Sequence, residues 1–152
     1  MSHEINGRTV ADFYLDLCGI CDYGQRPELL NAYQRTIFVT QELENEVNNG
    51  GFYQFFDNSS GQFSEEVVEA FLQIGATKTA DICKKAVDAF GQALPTDWEE
   101  RRSLLDRIGD RAESILEECD NAFFEYEEDL DALNAAYISE HIEAFNLSVS
   151  DL

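Results

Sequence analysis

Apolar residues recur every three or four positions along most of this chain, and this spacing constrains the fold more than any other feature of the sequence. Between residues 26 and 47 a mostly apolar stripe follows one side of a helix: Leu30, Tyr33, Ile37, Thr40, Leu43 and Val47. No segment shows the sustained alternation of a half-buried strand. The pattern predicts an all-α fold, a single compact bundle of about six helices with an Asn/Gly/Ser-rich aromatic corner between helices.

The 152 residues are 44% hydrophobic, which is enough for a real core, and we expect one domain over residues 1–152. An N-terminal helix at about residues 8–22 could be peripheral to it. Local signals predict several helix ends. Pro27 suits a first helical turn, Ser64 an N-cap, and Gly75 a helix end, while Thr96 and Glu99 have the spacing of a capping box.

The last third of the chain combines an apolar stripe with a dense acidic run. The apolar positions from Ile115 to Tyr137 fit either one long helix or two helices broken near Asp120 and Asn121. Nine acids and no Lys or Arg lie between residues 113 and 131, and five of these acids have the spacing of the opposite helix face. The nine are Glu113, Glu117, Glu118, Asp120, Glu125, Glu127, Glu128, Asp129 and Asp131.

The charge balance excludes several classes of partner. The chain has 31 acids against 10 bases, a formal charge of −21, which repels nucleic acid and anionic membranes and attracts basic surfaces. There is no apolar run of about 20 residues, and the N-terminus lacks the basic start and apolar stretch of a signal peptide. We therefore expect a cytoplasmic protein with thiol cysteines, no direct contact with nucleic acid and no membrane association.

Motifs for catalysis or metal binding are weak in this sequence. Cys18 and Cys21 form a C-x-x-C pair, but they lie on the apolar side of a predicted helix, so buried thiols are the better interpretation. His3 and His141 have no nucleophile at motif spacing. Residues 120–131 lack the ligands and the glycine of an EF-hand. Paired carboxylates for glycoside hydrolysis stay open, and we predict no catalytic residue, metal or cofactor.

The acidic run has two interpretations. As one helix, residues 113–131 would span roughly 27 Å and carry about one charge per 3 Å, close to the phosphate spacing along one DNA strand. A rigid row of that density could occupy the basic groove of a DNA-binding protein. The alternative is a solvated helix face with no partner.

The segment NNGGFYQFFDNSSGQ, residues 48–62, combines turn-forming residues with aromatic ones. Residues 42–61 resemble the signature of a family of small acidic bacterial helical proteins, the DNA-mimic family of the DMP-nineteen type. The looser agreement downstream extends the resemblance over roughly residues 26–145. The matching residues are Glu46, Asn49, Gly50, Gly51, Phe52, Gln54, Phe56, Asn58, Ser59, Ser60 and Gly61.

The resemblance implies an all-α protein, often a homodimer, whose acidic surface occupies the DNA site of a transcription regulator. Our leading hypothesis is therefore a DNA mimic that binds a basic DNA-binding protein through the nine acids. A pocket for a small molecule or peptide at residues 49–61, an unrecognised enzyme, and an acidic inhibitor or immunity-type protein for a basic enzyme are the alternatives.

We interpret residues 49–61 as a structural corner rather than a ligand loop. Gly50 and Gly51 would stop the preceding helix, and Phe52, Phe55 and Phe56 would anchor the segment in the core. In this interpretation Gln54 and Asn58 form hydrogen bonds to buried backbone groups, while Ser59 and Ser60 help to form the turn.

Overall fold

The computed structural model describes residues 3–146, and these begin with a small β-hairpin. Strands β1 (Glu4–Ile5) and β2 (Arg8–Thr9) pair antiparallel across Asn6 and Gly7, which both have positive φ. Thr9 then caps helix α1 (Val10–Ile20) in a capping box with Asp12, whose pKa the Thr9 backbone and hydroxyl hydrogen bonds lower. A 3-10 turn at Pro27–Leu29 precedes the longest helix.

The remaining described chain is helical, with short connections. Helix α2 (Ala32–Asp57) bends at Gly51 and leads into a 3-10 turn at Ser59–Phe63. Further helices follow at α3 (Val67–Gln73), α4 (Thr77–Asp88), α5 (Trp98–Leu105), α6 (Asp110–Phe124), α7 (Leu130–Glu140) and α8 (Ile142–Phe145).

The all-α prediction is confirmed, with eight α-helices in the described residues rather than about six. The difference lies mainly in the last third, where α6, α7 and α8 are separate helices. Of the two alternatives for this region, a break near Asp120 and Asn121 is wrong, because both residues lie inside α6. The helix ends after Phe124 and Tyr126 has a φ of 46°, so no single helix spans residues 113–131.

Three predicted helix starts are also wrong. Pro27 belongs to the 3-10 turn, and α2 begins five residues later. The Ser64 hydroxyl donates to the Gly61 carbonyl at 2.6 Å, while Glu66 occupies the N-cap position of α3. Helix α5 is capped by Asp97, whose side chain accepts from the Glu100 N–H, one residue after the predicted Thr96 cap. Pro27 and the Ser64 hydroxyl thus have a local role other than starting an α-helix.

The chain divides into two compact units. The terminal unit comprises the described residues up to Phe38 and those from Asp129 onward, and the central unit is Val39–Glu128. In the terminal unit α7 contacts α1 and β1, and Phe13 meets Phe145 edge to face. In the central unit α4 lies between α3 and α6. No helix among residues 3–146 is long and apolar enough to cross a membrane.

Candidate functional site

The helical backbone of α2 is interrupted at Gly51, the second glycine of the central unit's Asn/Gly segment, where a stop of the preceding helix was predicted. Gly51 has φ 85° and ψ 178°, a backbone conformation restricted almost entirely to glycine. The bend presents the Phe52 N–H to the Asp120 carboxylate of α6, at 2.7 Å. A Cβ on Gly51 would lie 2.6 Å from Asp120 Oδ2, so both conformation and space require glycine here.

The polar side chains that follow the bend converge on Glu46. Its Oε2 accepts from the Gln54 amide at 3.1 Å and from the Asn58 amide at 2.7 Å. The prediction that the Gln54 and Asn58 amides bond to buried backbone groups is therefore wrong. Both amides instead donate to the carboxylate of Glu46, which precedes Gly51 in α2. Ser60 does serve the backbone, since its hydroxyl donates to the Phe55 carbonyl at 3.0 Å.

Arg101 of α5 holds the end of the segment and is fully buried. Its guanidinium donates to the backbone carbonyls of Phe56 at 2.6 Å, Asn58 at 2.8 Å, Thr96 at 3.0 Å and Pro95 at 3.1 Å. Burial lowers the pKa of the Arg101 guanidinium, and the charges of Asp57 and Asp97 offset this effect only in part.

Gly61 allows the Arg101 guanidinium to approach the corner closely, because a Cβ on Gly61 would lie 2.4 Å from Arg101 Nε. The sequence analysis missed Arg101, which is one charged residue among several in WEERRSLL and has no motif to mark it. A buried arginine satisfied by carbonyls becomes visible only once the chain folds.

The aromatic residues of the segment separate into core and surface. Phe52, Phe55 and Phe56 are completely buried, as predicted, and Phe52 meets Phe123 edge to face. Tyr53 is 41% exposed. The amides of Gln54 and Asn58 and the Ser60 hydroxyl are bonded within the fold.

Four of the nine candidate acids bond to backbone groups of their own unit. Asp120 binds the Phe52 N–H, and burial, more than the nearby Glu117, raises its pKa. The Glu128 carboxylate accepts from the N–H groups of two residues in the first turn of α4 and from a hydroxyl there, which caps that helix. Asp129 caps α7, and Asp131 accepts from the backbone and ring of His3 at 2.7 and 2.8 Å.

The other five acids are exposed on the central unit. Glu118 pairs with Lys85 at 2.8 Å and Glu127 with Lys78 at 3.7 Å. The side-chain carboxylates of the remaining three form no hydrogen bond or ion pair to any other residue between 3 and 146, and they are Glu113, Glu117 and Glu125. The first two lie one turn apart on α6. These five acids belong to α6 and the segment after it, and Asp129 and Asp131 belong to the other unit.

The cysteines are buried free thiols, and His141 packs against an aromatic ring. All four cysteines are buried, as expected for Cys18 and Cys21, and burial raises the pKa of Cys119 to about 11 and that of Cys83 further. The thiols of Cys83 and Cys119 are therefore protonated at neutral pH. His141 stacks on Tyr33 with ring centres 4.3 Å apart. Between residues 3 and 146 no group of three His, Cys, Asp or Glu side chains is arranged to hold a metal ion.

Comparison with known proteins identifies the family. A search of the curated proteins and of the solved structures finds no match. A family model described as DMP19-like protein matches residues 28–141, which is most of the chain and includes the whole corner and the acids up to Asp131. This agrees with the resemblance that residues 49–61 indicate. The chain therefore belongs to the family of DMP19-like proteins.

Proposed function

We propose that this chain is a DNA-mimic protein that binds the DNA site of a basic DNA-binding protein through acids of its central unit. The observation that carries the proposal is the set of three exposed acids, Glu113, Glu117 and Glu125, that the fold leaves without internal partners. Buried or hydrogen-bonded carboxylates stabilise the fold, whereas the charges of these three acids remain available to a partner. Membership of the DMP19-like family supports the same function.

The bases of the central unit strengthen the argument. This unit carries 21 of the 31 acids and seven of the ten bases. Arg101 is buried, and four other bases already pair with carboxylates: Lys78, Lys84, Lys85 and Arg102. Most of the positive charge is thus neutralised locally, and the field outside the unit is negative. Such a field steers a basic protein toward the surface and repels DNA itself.

Two triple variants test the proposal. The first replaces Glu113, Glu117 and Glu125 by Gln, and the control replaces Glu4, Glu140 and Glu143, which are exposed acids of the terminal unit. Both change the formal charge by the same amount. Immobilised wild-type protein should retain basic DNA-binding proteins from a bacterial extract at low salt and release them in a salt step, with identification by mass spectrometry.

The partner found in this way should also be displaced by duplex DNA. We expect the first variant to lose about 10- to 100-fold in affinity for it, and the control less than about threefold, because exposed charge pairs contribute up to about 1 kcal/mol each. Equal losses in the two variants would place the interaction elsewhere. If no basic DNA-binding protein is retained, or if DNA does not compete, the mimic function is wrong.

A further inference from the structure

Two exposed aromatic side chains lie on the central unit beside the corner. Trp98, the single tryptophan of the chain, is 49% exposed at the start of α5, and its Nε1–H donates to the Asp57 carbonyl at 2.6 Å. Tyr53, 41% exposed, precedes Asp57 by one helical turn, so the two residues share a face of α2. Neither ring belongs to the core, although each could bury a large area against a partner.

The charges of carboxylates from three segments act on the Tyr53 phenol. Burial raises the pKa of the Tyr53 phenol, and the charges of Asp57, Asp106 and Glu113 raise it further. Asp57 ends α2, Asp106 follows α5, and Glu113 lies in the first turn of α6. The charges of three acids that are far apart in sequence thus act on one exposed aromatic side chain.

An arginine of the chain itself already occupies this surface. The Arg102 guanidinium carbon lies 4.9 Å above the centre of the Trp98 ring, and Arg102 Nε is 3.2 Å from Asp57 Oδ1. Half of the Arg102 side chain is exposed. A solvent-exposed contact of this kind is weak, so another arginine can replace it.

We propose that Tyr53, Trp98, Asp57, Asp106 and Glu113, the aromatic–acid face, bind an arginine side chain of a basic protein, and that Arg102 occupies the face until the partner displaces it. This inference rests on the proposed function and adds to it the chemistry of one contact. Three carboxylates face a single internal cation, so the face remains negative and complementary to a basic partner. Arginine suits the face better than lysine, because its planar guanidinium stacks on an indole and pairs with a carboxylate simultaneously.

The test compares a fluorescein-labelled nine-residue arginine peptide with a lysine peptide of equal length. Anisotropy gives the affinities for the full chain, and Trp98 fluorescence reports binding at the face. We expect the arginine peptide to bind about 3- to 10-fold more tightly than the lysine peptide, a difference typical of a cation–π contact. The Trp98→Leu variant should lose this preference, and Trp98→Phe, which keeps an aromatic ring, should retain part of it.

A second pair of variants tests the role of Arg102. Arg102→Gln should strengthen binding of the arginine peptide by about threefold or more, because the internal competitor is gone. Arg26→Gln is the matched control, since Arg26 is also exposed and pairs with one carboxylate, that of Glu28 at 3.5 Å. It removes the same charge, and we expect it to change both peptide affinities by less than about twofold.

The outcomes separate this inference from the proposed function. Three results would each contradict arginine binding at the aromatic–acid face while leaving the mimic function intact. They are equal affinity for the two peptides, an undiminished arginine preference in Trp98→Leu, and equal effects of Arg102→Gln and Arg26→Gln. Absence of binding by either peptide would overturn the face as well. If the arginine preference holds but no DNA-binding protein is captured from the extract, the face stands as an arginine site and the mimic function fails.

Discussion

The corner at residues 49–61 and the acids of α6 belong to the same unit but use their polar groups in opposite ways. In the corner, Gln54, Asn58 and Ser60 are bonded to neighbouring groups of the fold. On α6, Glu113 and Glu117 are exposed and have no partner among residues 3–146. Asp120 connects the two regions, since it lies on α6 and its carboxylate accepts a hydrogen bond from the Phe52 N–H of the corner. The polar groups of the corner thus bond within the fold, whereas the proposed binding surface consists of residues with no motif.

The largest effect should come from Arg101. Replacing Arg101 by Met leaves four backbone carbonyls of the corner and its surroundings without their donor, and we expect a loss of about 3–5 kcal/mol in the free energy of unfolding. Urea denaturation followed by circular dichroism measures it.

The neighbouring residue provides the control for Arg101. Arg102→Met removes the same charge one position later on α5, but from an exposed pair, and should cost less than about 1 kcal/mol. Similar losses in the two variants would mean that the buried carbonyl contacts of Arg101 do not stabilise the corner.

The next largest effect should come from Gly51. An alanine there must adopt a positive φ and also meets the Asp120 carboxylate, so we expect Gly51→Ala to cost about 2–4 kcal/mol. Gly75→Ala is the matched variant, because Gly75 has a φ of 83° but a Cβ added to it would meet no atom within 4 Å. It should cost about 1 kcal/mol in the same denaturation experiment. Equal losses would show that φ alone, and not the approach of Asp120, requires the glycine.

The smallest effects should distinguish two acids of the same helix. Asp120→Ala leaves the Phe52 N–H without its acceptor and should cost about 1–3 kcal/mol, whereas Glu117→Ala should lie within about 0.5 kcal/mol of the wild type. Both variants lose one negative charge from α6, so a difference in unfolding free energy isolates the corner contact. Partner binding should show the reverse order, with the larger loss for Glu117→Ala.

The stability that Asp120 confers should also depend on pH. Burial raises the pKa of Asp120 in the folded protein above its ordinary value of 3.8, so the folded state binds this proton more readily than the unfolded state. The contribution of Asp120 therefore grows as pH falls through its raised pKa and declines as pH rises. The stability advantage of the wild type over Asp120→Ala should be larger at pH 4 than at pH 7. An unchanged or smaller advantage at pH 4 would contradict the raised pKa.

Much of the fold follows from local patterns, and the failures have local causes. The apolar stripe of residues 26–47 predicted a helix, and the burial of Phe52, Phe55 and Phe56 followed from their type. Helix ends were less predictable, because Ser64 and Pro27 suit 3-10 turns as well as helix starts. The acidic run looked continuous, but it is divided by a helix end at residues 125–129 that no glycine or proline marks.

The candidate sites were harder to predict, since their geometry depends on contacts between distant residues. Charge alone cannot tell Asp120, which binds a backbone N–H, from Glu117, which is exposed three positions earlier. The aromatic–acid face likewise joins α2, α5 and α6, and no spacing within one segment could indicate it. Nothing in the sequence singles out Arg101 among the ten bases.

The bend at Gly51 also bears on the order in which the molecule folds. The Phe52–Asp120 contact joins residues 68 positions apart, and the Arg101–Phe56 contact joins residues 45 apart. Closing loops of this length loses chain entropy before any contact compensates for it, so such contacts form late. We expect substitutions at Gly51, Asp120 and Arg101 mainly to accelerate unfolding and to leave the refolding rate almost unchanged. The corner would then set how long the native state lasts rather than how quickly it is reached.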